Sequence, residues 1–366
     1  MKILATAGDI GGARAIMPVL DYLFNASVPF EIVNHNYLGK HAPDNWQRVS
    51  PLLEGRVDSL ESRFRRNEYG ALIFTTSVQD TVALNISRLA SLYNIFTIHL
   101  LDNWTNYMLR LTNDGLPSIY PEVYAVMDDY ALKAATDDGI PKNILKITGQ
   151  PALSSLEDEF LDWSNTNKSE KRVSIGFHKK KKLLIFVSEP VEADQGGGSE
   201  SPQFRGYTEK MVLQQLCHYL QPYSDEIQLG LLPHPRENDN ELQKEWEMYR
   251  GNLVGGIVMA NTGREAVFMA DGVSGMASIL LYEAWLINKP VISLQPGIKQ
   301  LYLWIMNERQ GCYFLSESGQ WEVKVREWLT DVHKAPKESK VKHDINIHKN
   351  APEKIAKILI NSLGNC

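Results

Sequence analysis

ADGVSGMASILLYEAWLINKPVISLQPG, residues 270 to 297, reads as one unit of a larger plan. A short apolar strand, Val267 to Ala270, runs into Asp271, and a loop with Gly272, Ser274 and Gly275 follows. A helix then begins near Ala277, with Ser278 in its first turn, and ends at Ile287 before a second strand, Val291 to Leu294. Strands alternating with helix-period segments predict parallel sheets with crossover helices.

The same alternation extends in both directions. Upstream of this unit lie strand Lys182 to Val187, helix Tyr207 to Leu220, strand Ile227 to Leu232 and helix Asn240 to Tyr249. LLIFV, residues 183 to 187, is continuously apolar and needs both faces covered, as in a doubly wound sheet. The first half has strands at Lys2 to Ala7, Phe30 to Asn34, Ala71 to Thr75, Ile95 to Leu100, Val123 to Met127 and Ile144 to Thr148, with helices such as Gln79 to Tyr93 and Asp129 to Asp138 between them. SNTNKSEKR, residues 164 to 172, has the composition of a linker. The expectation is an α/β chain of two Rossmann-like, doubly wound domains, residues 1–165 and 173–333, facing each other across a cleft that takes the ligand at the strand ends. A polar stretch, Lys334 to Lys349, precedes a last amphipathic helix, Pro352 to Leu363.

A length of 366 residues exceeds one ordinary core, while 43% hydrophobic and 22% charged residues exclude general disorder. Lys and Arg number 38 against 44 Asp and Glu, so a net charge of −6 supplies no global field for nucleic acid, and phosphate must be held locally. Cys217, Cys312 and Cys366 form no CxxC pair, which points to a reducing compartment. The amino-terminal apolar run is cut by Gly8, Asp9, Gly11, Gly12 and Arg14, so it reads as strand, turn and helix rather than a targeting segment. A soluble, cytoplasmic protein is expected, with 8 Trp and 15 Tyr leaving room for peripheral membrane contact.

Candidate chemistry gathers at strand ends. Gly11 and Gly12 let another group approach the backbone where a helix begins, or simply shape a tight turn. Asp9 is either a base or a helix N-cap. In HLLDNWTNYMLR, residues 99 to 110, Asp102 is again a base or a cap. Trp104 or Tyr107 would stack on a sugar or pack in an aromatic cluster; Asn106 lies between them, and Arg110 would hold an anion. Ser188 and Glu189 end a strand ahead of a glycine-rich loop, which is a lid or a tolerated insertion. His234, between two prolines and followed by Arg236, is a candidate phosphate donor. Ser274, Gly275, Met276 and Ser278 would present amides, hydroxyls and a positive helix end to a phosphate. Glu283, among apolar neighbours, would accept ribose hydroxyls; a buried carboxylate there calls for a polar partner.

Together AGDIGGARA, the stretch from Val126 to Leu153, HPREN at 234 to 238 and SGMASILLYEAWLINKPVIS resemble the GT-B superfamily of nucleotide-sugar enzymes over nearly the whole chain. That superfamily includes glycosyltransferases and the non-hydrolysing UDP-N-acetylglucosamine 2-epimerases. The resemblance implies a glycosyltransferase in bacterial surface-polysaccharide or glycoconjugate assembly, with a UDP- or CMP-linked sugar as donor and a glycan or glycolipid as acceptor. It places the ribose on Glu283 and the phosphates at Ser274, Gly275 and Ser278. The His-Pro pair is similar to one in CMP-sugar transferases. No essential metal and no cofactor beyond the donor are expected, and the helix within 350–366 is expected to pack back on the first domain. The Arg-Pro-Glu of the epimerases is replaced by Asp9, Ile10 and Gly11, which makes epimerase the second choice, beside a catalytically inert GT-B module that binds a glycan or a partner protein.

Overall fold

A computed structural model describes the chain apart from residues 56, 58, 78–79, 113–116, 165–167, 300–311, 335–340 and 365–366. The expected helix start at Gln79, part of the expected linker, part of the polar stretch after Lys334, and Cys366 therefore lie outside the described residues. The chain forms two compact units, Met1–Ser155 with Asp344–Cys366 (unit 1) and Leu156–His343 (unit 2).

Unit 1 holds strands β1 (Lys2–Ala7), β2 (Phe30–Val33), β3 (Arg48–Val49), β4 (Tyr69–Thr75), β5 (Phe96–Leu100), β6 (Val123–Val126) and β7 (Leu145–Ile147). They pair in the order β3-β2-β1-β4-β5-β6-β7, all parallel. Every residue of β4 is buried, as a strand covered on both faces requires. One face packs Ile3, Ala71 and Ile73 against Ile16 and Leu20 of helix Ile10–Asn25 and against Ile355, Ala356 and Leu359 of helix Ala351–Leu363. The final helix is thus part of the core of unit 1. The opposite face packs Leu4, Leu72 and Phe74 with Phe64 and Ile86.

Unit 2 holds β8 (Lys182–Val187), β9 (Ile227–Leu232), β10 (Gly255–Ile257), β11 (Gly272–Gly275), β12 (Val291–Leu294) and β13 (Cys312–Leu315). Their order is β10-β9-β8-β11-β12-β13, again parallel throughout. In each sheet the chain builds outward on one side of its first strand and then crosses to the other. The crevice at that reversal, between β1 and β4 and between β8 and β11, is where open α/β sheets take ligands.

Two local expectations are corrected. Val267 to Ala270 is not a strand but the end of helix Gly263–Met269, which Thr262 caps through the Glu265 amide. The strand is the glycine-rich GVSG that had been read as a loop. A Cβ on Gly272 would lie 2.5 Å from Val332 Cγ2 and 3.1 Å from the Trp328 ring, so tertiary packing selects glycine where β propensity would not. Residues 168 to 172, read as linker, lie in helix Lys168–Ser174. Ion pairs of Lys168 and Arg172 with Asp271, and of Lys171 with Glu265, hold that helix in place of an apolar stripe.

Candidate functional site

At the β1/β4 reversal of unit 1, Asp9 caps helix Ile10–Asn25 by accepting from the Gly12 amide at 2.8 Å. Its carboxyl is held above the ordinary aspartate range, first by burial and then by the charge of Asp102. The groups that approach Gly11 and Gly12 are the chain's own: a Cβ would lie 2.6 Å from Asp102 Oδ2 at Gly11 and 2.0 Å from Thr75 Oγ1 at Gly12. Asp102 and Arg110 are both buried and form an ion pair at 2.7 Å. Arg110 also donates to the carbonyls of Thr76 and Thr105 at 2.8 and 3.1 Å, so the anion it holds is Asp102.

Trp104 is 4% exposed, and its indole N–H lies 3.0 and 2.9 Å from the two oxygens of Asp128, the cap of helix Asp129–Asp137. Of the two expectations for Trp104, the structure shows the packed ring. Tyr107 is buried as well, and its carbonyl accepts from the Tyr124 hydroxyl at 3.1 Å. Asn106 takes a left-handed backbone, with φ 60°, and its carbonyl receives the Arg110 amide.

The same end of the sheet carries residues that the sequence reading passed over. His35 and Asn36 follow β2, Asp80 follows β4, and His35 Nε2 lies 2.6 Å from Asp80 Oδ2. Asn36, at φ 45°, donates to the Gly8 carbonyl and to Asp80. His99, inside β5, stacks on Tyr124 at 4.5 Å between ring centres, and burial followed by the charge of Arg110 drives its pKa far down. A polar residue just past a strand end was the available signal for His35 and Asp80.

At the β8/β11 reversal of unit 2, Glu189 Oε2 accepts from the Ala277 amide at 2.6 Å, linking the two strand ends. Ser188 donates to Glu237 Oε1 at 2.8 Å, and the His234 amide donates to Glu237 Oε2 at 2.6 Å. His234 Nδ1 accepts from the Arg236 amide at 3.2 Å, and the Arg236 side chain makes a bidentate pair with Asp194, both distances 2.7 Å. The carboxyls of Glu189 and Glu237 are both raised, in each case chiefly by burial. The predicted Ser188, Glu189, His234 and Arg236 thus come together, joined by Glu237 and Asp194, which the sequence reading did not single out.

The predicted phosphate loop is corrected. Ser274 and Gly275 lie in buried β11, the Ser274 hydroxyl donates to the Ile185 carbonyl at 3.2 Å, and Met276 belongs to the hydrophobic core. Ser278 caps helix Ile279–Leu286 through the Leu280 amide, at 3.3 Å, rather than sitting in its first turn. Glu283 is 5% exposed and has the polar partner its burial demands: Arg264 Nε at 2.9 Å and Nη2 at 3.3 Å. Among the described residues no group of three or more His, Cys, Asp or Glu side chains is placed to share a metal ion, and no helix is long and apolar enough to cross a membrane.

No family model matches the chain, and no curated protein matches it. Solved structures do match over its whole length. UDP-GlcNAc 2-epimerase from Methanocaldococcus jannaschii aligns at a TM-score of 0.66 and 13% identity, covering 99% of this chain and 100% of that one. UDP-GlcNAc 2-epimerase from Neisseria meningitidis, bound to UDP-GlcNAc, aligns at 0.62 and 11%, with the same coverage. The wall teichoic acid polymerase TagF aligns at 0.56 and 10%, covering 100% of this chain and 89% of that one. The chain therefore has the GT-B fold, two Rossmann-like α/β units.

Proposed function

We propose that the chain is a nucleotide-sugar enzyme, and specifically a metal-independent glycosyltransferase that moves a sugar from a UDP- or CMP-linked donor to a glycan or glycolipid acceptor with inversion, in surface-polysaccharide assembly. The observation that carries the reading is the polar cluster at the reversal point of unit 2, where Glu189 bonds the Ala277 amide beside His234 and Arg236. A crevice at that position, lined by a histidine, an arginine and the start of a helix, suits a nucleotide diphosphate or monophosphate. Burial raises the Glu189 carboxyl above its ordinary value, and its bond to the Ala277 amide fixes it at the end of β11. His234 would then stabilise the departing phosphate.

A second reading, an enzyme like the UDP-GlcNAc 2-epimerases, draws on the whole-length likeness in fold to structures of that name. One experiment separates the two. The protein is titrated calorimetrically with UDP, GDP, CDP and CMP sugars, and each binder is then incubated with and without a mixed glycan acceptor. Sugar transfer that needs the acceptor supports the transferase, acceptor-free epimerisation of UDP-GlcNAc supports the second reading, and no binding of any nucleotide sugar removes both.

A further inference from the structure

We propose that Glu237 is the positioning residue that sets His234 for the nucleotide phosphate. This rests on the reading above, in which His234 meets that phosphate, and names what holds the histidine in place. His234 follows β9 between Pro233 and Pro235, so its two neighbours in the chain bring no amide hydrogen to fix the turn. Glu237 does the fixing from farther along. Its own amide donates to the His234 carbonyl at 2.8 Å, and its carboxylate Oε2 accepts from the His234 amide at 2.6 Å. Both backbone groups of His234 are thus bonded to one residue, and the turn is closed from either side.

The clamp also reaches the neighbouring strand. Oε1 of the same carboxylate accepts from the Ser188 hydroxyl at 2.8 Å, and Ser188 is buried just past the end of β8, where its amide donates to the Leu232 carbonyl at 2.9 Å. On its other side the turn runs straight into Asn238, the cap of helix Asp239–Tyr249. Within this frame the Arg236 amide meets His234 Nδ1 at 3.2 Å. An amide N–H only donates, so Nδ1 keeps its lone pair, and the neutral ring then carries its hydrogen on Nε2, the nitrogen that donates to a phosphate oxygen.

Shape rather than charge makes the clamp. A glutamine at this position has the same length: its carbonyl oxygen accepts from the His234 amide, and its NH2 donates to Ser188, whose hydroxyl both donates and accepts. An aspartate is one methylene shorter and cannot span both bonds. The Arg236 side chain does not compete for the carboxylate, because its bidentate partner is Asp194. Glu237 is therefore held by Ser188 and the His234 backbone, and what it transmits to the ring is position.

The test uses the full chain. Nitrogen-15 NMR of histidine-labelled protein, with H234Q to identify the signal, should show hydrogen on Nε2 of His234 in the wild type and in E237Q, and an average of the two tautomers in E237A. E237A should lower kcat for sugar transfer by roughly 10- to 100-fold, the scale of a misplaced catalytic group, while calorimetric affinity for UDP and CMP stays within about threefold. E237Q should keep kcat within about threefold of the wild type, because both bonds survive the change. E237D carries the same test as E237A if E237A does not fold. Equal losses in E237Q and E237A, or a wild-type His234 signal with wild-type kcat in E237A, overturn the proposal. If the wild-type protein binds no nucleotide sugar, the reading above fails on its own, and the His234 signal in E237A and E237D still decides whether Glu237 sets the ring.

Discussion

The Arg264 guanidinium grips the Glu283 carboxylate with two nitrogens, at 2.9 and 3.3 Å, and its third nitrogen reaches Glu159 at 2.8 Å. The pair is only 18% and 7% exposed, so neither charge is well served by water. R264M strips the compensation from Glu283 and should cost about 3 kcal/mol or more of unfolding free energy, whereas the double variant R264M/E283L should regain most of it. Urea denaturation of the three proteins checks this. A single variant as stable as the wild type would mean that the carboxylate is hydrated rather than held.

Glu189 gives a pH dependence with a definite sign. Its carboxyl lies above the ordinary value of 4.5, chiefly through burial, with the Ala277 amide opposing. The folded chain then holds the proton more tightly than the unfolded one, so this group's contribution to stability falls as pH rises from about 4.5 through the folded value. E189Q removes that decline while an amide oxygen remains to meet Ala277. The difference in stability between wild type and variant should therefore move in favour of E189Q with rising pH and level off above the folded value. A pH-independent difference would contradict the assignment.

Asp271 receives Lys168 at 3.1 Å, Arg172 at 2.8 Å and the Leu183 amide at 2.8 Å, beside Lys289, whose pKa is driven far down by burial and then by Lys168. Burial pushes Asp271 up, but Lys168 and Arg172 outweigh it, and the carboxyl ends below its ordinary value of 3.8. Its stabilisation is complete above that value and is lost as pH falls through the folded one. D271N at neutral pH should destabilise by about 3 kcal/mol, since it leaves the cations to repel one another. The loss should shrink in acid, where wild-type Asp271 is itself protonated.

Gly12 faces Thr75, with a new Cβ placed 2.0 Å from Oγ1 and 2.8 Å from Cβ of that residue. G12A should lower stability by about 1 to 3 kcal/mol, the usual cost of overpacking, and T75A in the same chain should return part of it. Thermal unfolding of the two variants measures the effect. Equal melting temperatures for wild type and G12A would show that the helix shifts freely away from β4.

Much of the fold was legible because hydrophobic period is a local property. β1, β8, β9 and β12 occur at the residues expected from their apolar runs. The short edge strands Arg48–Val49 and Gly255–Ile257 have no such run and were not anticipated. The site was legible more unevenly. Strand ends pointed to Asp9, Asp102, Glu189 and His234, but the roles those residues take with one another depend on partners far along the chain. Asp102 was read as a base or a cap and turns out to be the counter-ion of Arg110; Trp104 was read as a stacking face or a packed ring and is packed.

What the amino-acid order determined by itself is the alternation of buried strands and helices, and with it the parallel sheets, because each element's burial pattern is written in its own few residues. What only the tertiary structure decided is which polar groups meet. His35 finds Asp80 45 positions away, and Arg264 finds Glu283 19 positions away. Gly272 of GVSG is required because Val332 and Trp328 leave no room for a side chain there. Such pairings are set by distance in space between the ends of neighbouring strands, and sequence separation carries no measure of that distance.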